Sequence, residues 1–210
     1  SLSKHSMLKI GITGGIGSGK TEVCKIIERL GSKVIYADDL AKEILNTDEN
    51  VKRRVGKEFG EDIYTSTGNV NSKKLAQKIF FDENLKVKLE KIVHPVVIDK
   101  IKEDFQSLEK SSKHSIGFLE AALIFEAGVD SFLDYIIVVN ASEENCINRV
   151  MTRDGSRKED VMQRIKAQIP PAQKIEKADF VIHNNDDRNK LEYSVKFIYN
   201  LLNLMSKTNS

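Results

Sequence analysis

Apolar residues gather into five short, β-branched runs, separated by stretches in which they recur every three or four positions. The runs are Ile10 to Thr13, Lys33 to Tyr36, Ile116 to Glu120, Tyr135 to Val139 and Phe180 to His183. Near-continuous runs alternating with helical spacing predict an α/β fold, a parallel five-stranded sheet with helices on its faces. After the first run, Val23, Ile26, Ile27 and Leu30 fall at helical spacing, and Gly31 is placed to end that helix. Toward the other end, Leu191, Val195, Ile198, Leu202 and Met205 line one side of a helix expected to pack back on the sheet.

The second run ends at Tyr36 and the third begins at Ile116, far more chain than one crossover helix needs. From Leu40 to Leu108 this stretch is rich in Lys, Glu, Leu and Ile at helical spacing, broken by the turn-like Thr65-Ser66-Thr67-Gly68-Asn69. It reads as a small helical subdomain, inserted where α/β proteins build ligand crevices. A second appendage follows the fourth run. A helix from Glu143 carries Arg149 and Arg153 and is broken by Asp154-Gly155. Ser156-Arg157-Lys158-Glu159 then offers an S-x-x-E capping box for a helix running toward Gln168, with Pro170-Pro171 as its stop. The expected division is a core of residues 7–38, 114–148 and 178–206, a helical subdomain of 39–110, and an arginine-bearing lid of 149–177.

The turn between the first strand and its helix carries the chemistry. Gly14-Gly15-Ile16-Gly17-Ser18-Gly19-Lys20-Thr21 fits G-x-x-x-x-G-K-[ST], in the strand, glycine loop, helix context that the pattern requires. Glycines let the backbone turn its N–H groups inward around a polyphosphate, and the helix starting near Lys20 adds the positive end of its dipole. Lys20 is expected to reach the β- and γ-phosphates, and the Thr21 hydroxyl to take a place on Mg²⁺ brought with ATP. Gly14, Gly15, Gly17, Ser18, Gly19, Lys20, Thr21 and Glu22 are the expected nucleotide contacts here.

Composition changes this picture little. A net charge of +2 gives scant attraction for nucleic acid or an acidic membrane. No apolar run is long enough for a membrane span and no secretory h-region is seen, so neither partner is expected and the cytoplasm is the expected compartment. Ser1 to Ser6, ahead of Met7, read as an appended leader outside the fold. Cys24 and Cys146 form no C-x-x-C pair and read as ordinary buried residues. Charge distribution is more telling: Arg149 to Lys177 holds eight basic residues against four acidic. Beside a phosphate loop, that favours a lid whose arginines neutralise the migrating phosphoryl group and whose closure excludes water.

Four carboxylates bear on the rest of the chemistry. Asp38 and Asp39 close the second run; one suits a helix cap and the other, taken as Asp38, an acceptor hydroxyl. Glu120 ends the third run, where an acid can hold Mg²⁺ through water, and Glu126 is a second candidate. His94-Pro95 lies in the helical insert, where proline is expected to bend or start a helix. No histidine has a partner at metal-ligand spacing, so no protein-held transition metal is expected.

Taken in order, Gly11 to Thr21, Ala37-Asp38, His94-Pro95, Leu123-Ile124-Phe125-Glu126, Arg149 with Arg153, and Ala178 to Asn184 resemble the motifs of the dephospho-CoA kinases over nearly the whole chain. The resemblance implies a P-loop kinase core with a substrate subdomain and a lid, transferring the ATP γ-phosphoryl to the ribose 3′-hydroxyl of dephospho-CoA. It implies that Asp38 is the base for that hydroxyl, Arg149 and Arg153 are lid arginines, Asn184 lies near the adenine, and His94 belongs to the substrate subdomain. Departures are visible too. Tyr36-Ala37-Asp38 stands for the usual Asp-Ala-Asp, Glu120-Ala121-Ala122 for Asp-Val-Pro, and Ser72 for a common arginine, with Lys73 beside it. Other readings are a different small-molecule P-loop kinase, such as one acting on a nucleoside monophosphate, or an ATP-binding partner protein without transfer activity. A guanine-nucleotide switch is disfavoured, since no Asn-Lys-x-Asp motif is present.

Overall fold

The computed structural model describes residues 6–111 and 113–208; of the leader expected at Ser1 to Ser6, all but Ser6 lies outside them. The chain runs β1 (Leu8–Gly14), α1 (Lys20–Arg29), β2 (Lys33–Tyr36), α2 (Ala37–Thr47), α3 (Glu49–Phe59), α4 (Ser72–Phe81) and α5 (Glu83–Lys110). It continues through β3 (Ile116–Glu120), β4 (Tyr135–Asn140), α6 (Glu143–Asp154), α7 (Lys158–Lys166), α8 (Pro171–Glu176), β5 (Phe180–His183) and α9 (Arg188–Thr208). The strands form one sheet in the order β2-β3-β1-β4-β5. β1 is central and pairs in parallel with β3 and β4, placing Ile12 beside Glu120 and Ile137, and Gly14 beside Val139. The carboxyl ends of the three strands therefore lie side by side.

Two compact units divide the described residues: one holds those up to Ile35 and from Phe105 onward, the other is Tyr36–Asp104. In the first, β1, β3 and β4 are buried on both faces, which is why they read as continuous apolar runs. One face packs Ile10, Ile12 and Phe118 beneath Val23 and Ile27 of α1 and Val195 and Leu202 of α9, all 2% exposed or less. Tyr199 of α9 lies over Phe118 and donates its hydroxyl to Leu30 O, fastening α9 across the end of α1. A satellite core joins α6 to α7: Ile147, Val150 and Val161 pack with Met151, Met162, Ile165 and Ile16.

The second unit is helical apart from one bridge. Tyr64 pairs antiparallel with Val70, and Thr65 N–H to Asn69 O with Gly68 N–H to Thr65 O close the turn between them. Asp48 caps α3 by accepting from Val51 N–H, and Asn71 caps α4 by accepting from Lys74 N–H. Leu40, Ile44, Val55, Phe59, Ile63 and Leu75 are among its buried residues.

Several local expectations are corrected. Tyr36 is still extended and α2 starts at once with Ala37, so Asp38 and Asp39 sit in the first helical turn; neither caps it. Carboxylates suit that turn through the helix dipole instead. The S-x-x-E box does not form: the cap residue of α7 is Arg157, without a side-chain cap, because α7 begins one residue later than Ser156 needs. α7 ends at Lys166, and Pro171 opens α8 rather than stopping a helix, as suits proline at the first helical position. Pro95 does not start a helix; it lies within α5. No helix among the described residues is long and apolar enough to cross a membrane.

Candidate functional site

β1 delivers Gly14 to the carboxyl edge of the sheet, and the chain turns through Gly15 to Ser18 before α1 begins at Lys20. Two glycines make that turn fit. Gly17 has φ 75° and Gly19 φ 100°, both left-handed. A Cβ on Gly17 would also stand 2.5 Å from the Cys146 carbonyl oxygen in α6, and one on Gly19 would run into the Asn184 side-chain amide. The loop is thus pressed against both α6 and the residue after β5.

Those neighbours hold the loop by its carbonyls. Arg149 Nη1 donates to Gly17 O at 3.2 Å and to Ser18 O at 3.4 Å, while its Nη2 donates to Asn184 O at 2.8 Å. Asn184 Nδ2 donates to Ser18 O at 2.9 Å, and the Asn184 N–H is itself fixed on Asn140 O at the end of β4. Lys20 Nζ folds back onto Gly14 O and Gly15 O at 3.0 and 3.1 Å. The N–H groups of Ile16 and Ser18 are taken by Gln168 Oε1 and Gly15 O, while the first turn of α1 presents N–H groups without an intrahelical partner. The Ser18 hydroxyl is buried without a hydrogen-bond partner among the described residues. An orphaned donor inside such a loop suits a ligand oxygen. Thr21 is exposed and Glu22 half-buried in the same turn of α1, Glu22 pairing with Lys25.

The two arginines expected on a lid have different settings. Arg149 is half-buried and spent on the loop backbone, as above. Arg153 is exposed and grips the neighbouring Asp154 with Nε at 2.6 Å and Nη2 at 3.0 Å, while Arg164 of α7 reaches the same carboxylate at 3.3 Å. The Arg153 hydrogen bond, aided by Arg164, holds the Asp154 carboxyl down to about 2. Asp154 therefore staples α6 to α7 across the Gly155 turn. Asp38 is exposed in the first turn of α2 and His94 half-buried within α5; both belong to the second unit.

Two residues at this edge were not found from the sequence. Gln168, after α7, accepts from the Ile16 N–H through Oε1 at 3.2 Å, so a residue of the α7 end caps the loop backbone. Lys174 of α8 is 1% exposed, donates to Ala122 O at 2.9 Å and lies 3.5 Å from a Glu126 carboxylate oxygen. Burial pulls its ammonium below the usual lysine range, against the pull of Glu126. Each reaches a remote backbone group, and no local pattern in Gln168 to Lys177 encodes that reach. Cys24 and Cys146 are free, buried thiols, and burial pushes both up, away from nucleophilic character. Among the described residues, no group of three or more His, Cys, Asp and Glu is placed to hold a metal ion.

Comparison with known proteins gives the family. The profile of the dephospho-CoA kinase family matches residues 8–190. The dephospho-CoA kinase of Syntrophotalea carbinolica is 37% identical over 179 residues, covering 85% of this chain and 84% of that protein. A crystal structure from Thermus thermophilus superposes with a TM-score of 0.79 at 32% identity, covering 93% of this chain and 98% of the other. The dephospho-CoA kinase from Campylobacter jejuni superposes with a TM-score of 0.70 at 28% identity, covering 96% and 98%. With a glycine loop clamped between the central strand and α1, and a family match across nearly the whole length, this chain belongs to the dephospho-CoA kinase family.

Proposed function

We propose that this protein transfers the γ-phosphoryl group of ATP to the ribose 3′-hydroxyl of dephospho-CoA, giving coenzyme A and ADP in the last step of coenzyme A synthesis. The observation that carries the reading is the Gly14 to Thr21 loop, whose carbonyls are held by Lys20, Arg149 and Asn184. A backbone already turned toward an anion loses little freedom when the triphosphate arrives.

In the transfer, the acceptor oxygen bonds to the γ-phosphorus as the bond to the β–γ bridging oxygen breaks. We assign Asp38 to receive the hydroxyl proton and His94 to the acceptor side of the reaction, on the family resemblance. Lys20 leaves Gly14 O and Gly15 O for the β- and γ-phosphates, a short swing because it already lies over the loop. Arg149 keeps the loop in shape, and Arg153 is the arginine free to trade a surface carboxylate for phosphate oxygens. The exposed Thr21 hydroxyl, with Glu120 at the end of β3, is a hard oxygen set that fits Mg²⁺ carried by ATP. When bound, that ion neutralises charge on the phosphates. We assign the 36–104 unit to the pantetheine-bearing acceptor, the α6–α7 pair to a lid, and the cytoplasm as the place of action, with no nucleic-acid partner.

The test is direct. The protein is incubated with Mg-ATP and dephospho-CoA, and the acceptor is followed by mass. A gain of one phosphoryl group, absent with AMP or shikimate as acceptor, is expected; ATP binding without transfer to dephospho-CoA would overturn the reading. Asp38→Asn is expected to lower turnover while sparing ATP binding, and wild-type turnover at neutral pH would remove the role given to Asp38.

A further inference from the structure

We propose that Lys174 is a positioning residue for phosphoryl transfer, fixing the turn after β3 against the end of β1 from which the phosphate loop springs. This rests on the transfer reading above and adds a residue to it. A buried ammonium is unfavourable unless hydrogen-bonded and paired, and an apolar side chain would fill the same space with less strain on solvation. Lys174 is nonetheless 1% exposed, so its place calls for a geometric reason.

The geometry supplies one. Ala122 O accepts two hydrogen bonds, from Lys174 Nζ at 2.9 Å and from Thr13 Oγ1 at 3.1 Å. Thr13 is fully buried and immediately precedes Gly14. One residue earlier on each side, Ala121 N–H donates to Ile12 O at 3.0 Å. Residues 121–122 are thereby locked onto residues 12–13. Glu120 lies directly before the locked pair, and Glu126, at the far end of the turn, is drawn back by the same ammonium at 3.5 Å. Lys174 also anchors the chain beyond Pro170, so the segment that brings Gln168 to Ile16 N–H is fixed at both ends. Without the ammonium, Ala122 O keeps only Thr13, and the turn beyond Ala121 is held less firmly against the end of β1. Small misplacements of groups around a reacting centre lower turnover more than affinity.

The experiment compares Lys174→Met, Thr13→Val and the double variant with the wild type, each assayed for kcat and for KM of ATP at a temperature well below its melting transition. Lys174→Met is expected to lower kcat about 10- to 100-fold with KM for ATP within about twofold. Because both side chains act on one carbonyl, the double variant is expected to lose less than the product of the single losses. A folded Lys174→Met with undiminished kcat, or losses that multiply independently, would overturn the proposal. If Lys174→Met does not fold, Thr13→Val carries the test alone: a fall in kcat at retained KM supports the locked carbonyl, and unchanged kcat overturns it. Absence of transfer by the wild type would overturn the function itself, an outcome distinct from all of these.

Discussion

Replacing Arg149 with methionine keeps the aliphatic stem and removes the guanidinium that ties the phosphate loop to Asn184. Three hydrogen bonds go: 2.8 Å to Asn184 O, and 3.2 and 3.4 Å to Gly17 O and Ser18 O from a single nitrogen. The last two share one donor group and count together as roughly one bond. Bonds to a charged donor contribute about 1.5–3 kcal/mol each, and the half-buried setting argues for the low end, so the set is worth about 3 kcal/mol. That ordering must then be supplied by the nucleotide. At about 1.4 kcal/mol per tenfold, affinity for ATP is expected to fall about 100-fold. Calorimetric titration with a non-hydrolysable ATP analogue measures it, and the melting transition without nucleotide separates a loosened loop from a lost fold. Retained analogue affinity with collapsed turnover would refute the reasoning, since the guanidinium would then act on the migrating phosphoryl group and not on the loop.

Gly19→Ala is expected to abolish nucleotide binding: its φ of 100° costs an L-residue about 1–2 kcal/mol, and the new methyl displaces the Asn184 amide from Ser18 O; undiminished ADP binding by calorimetry would contradict this. The Asp154 carboxyl is held down to about 2, so its contribution is present above the ordinary carboxylate range and is lost as pH falls through about 2. The melting temperatures of wild type and Asp154→Asn are therefore expected to differ at neutral pH and to draw together in acid; a difference as large at pH 2 as at neutral pH would rule out the staple. Cys24 is buried with its thiol pushed up, and is expected to resist a thiol-titrating reagent at pH 8 until the protein unfolds. Labelling in the native state would contradict its placement on the buried face of α1.

Strands and phosphate loop were legible because their signals are local. A strand buried on both faces reads as an unbroken apolar run, so β3 could be bounded to the residue. The loop declares itself because the glycines at 17 and 19 answer to backbone geometry that few other residues accept. What failed were junctions at which one residue decides. Nothing in Tyr36-Ala37-Asp38 says that the helix starts before the acids, and Ser156 resembles a cap until the helix is seen to begin at Lys158. Pro170-Pro171 is ambiguous because proline both ends helices and begins them. Gln168 and Lys174 were beyond reach for a different reason: their partners, Ile16 N–H and Ala122 O, are backbone atoms that every residue possesses.

The clamps on the phosphate loop also set a clock for synthesis. Ile16 and Gln168 are separated by 152 positions, and Ser18 and Asn184 by 166. A nascent chain that has released β1 and α1 from the ribosome carries every residue of the glycine motif but not Arg149, Gln168 or Asn184, the distant side chains that shape it. Contacts this distant in sequence close late, after the loop-closure entropy of the intervening chain has been overcome. ATP therefore cannot template the early half of the molecule. It meets a finished site once Asn184 has emerged and docked, and from then on its binding adds to the stability of the whole fold by mass action, so cellular nucleotide protects the completed enzyme and not its precursors.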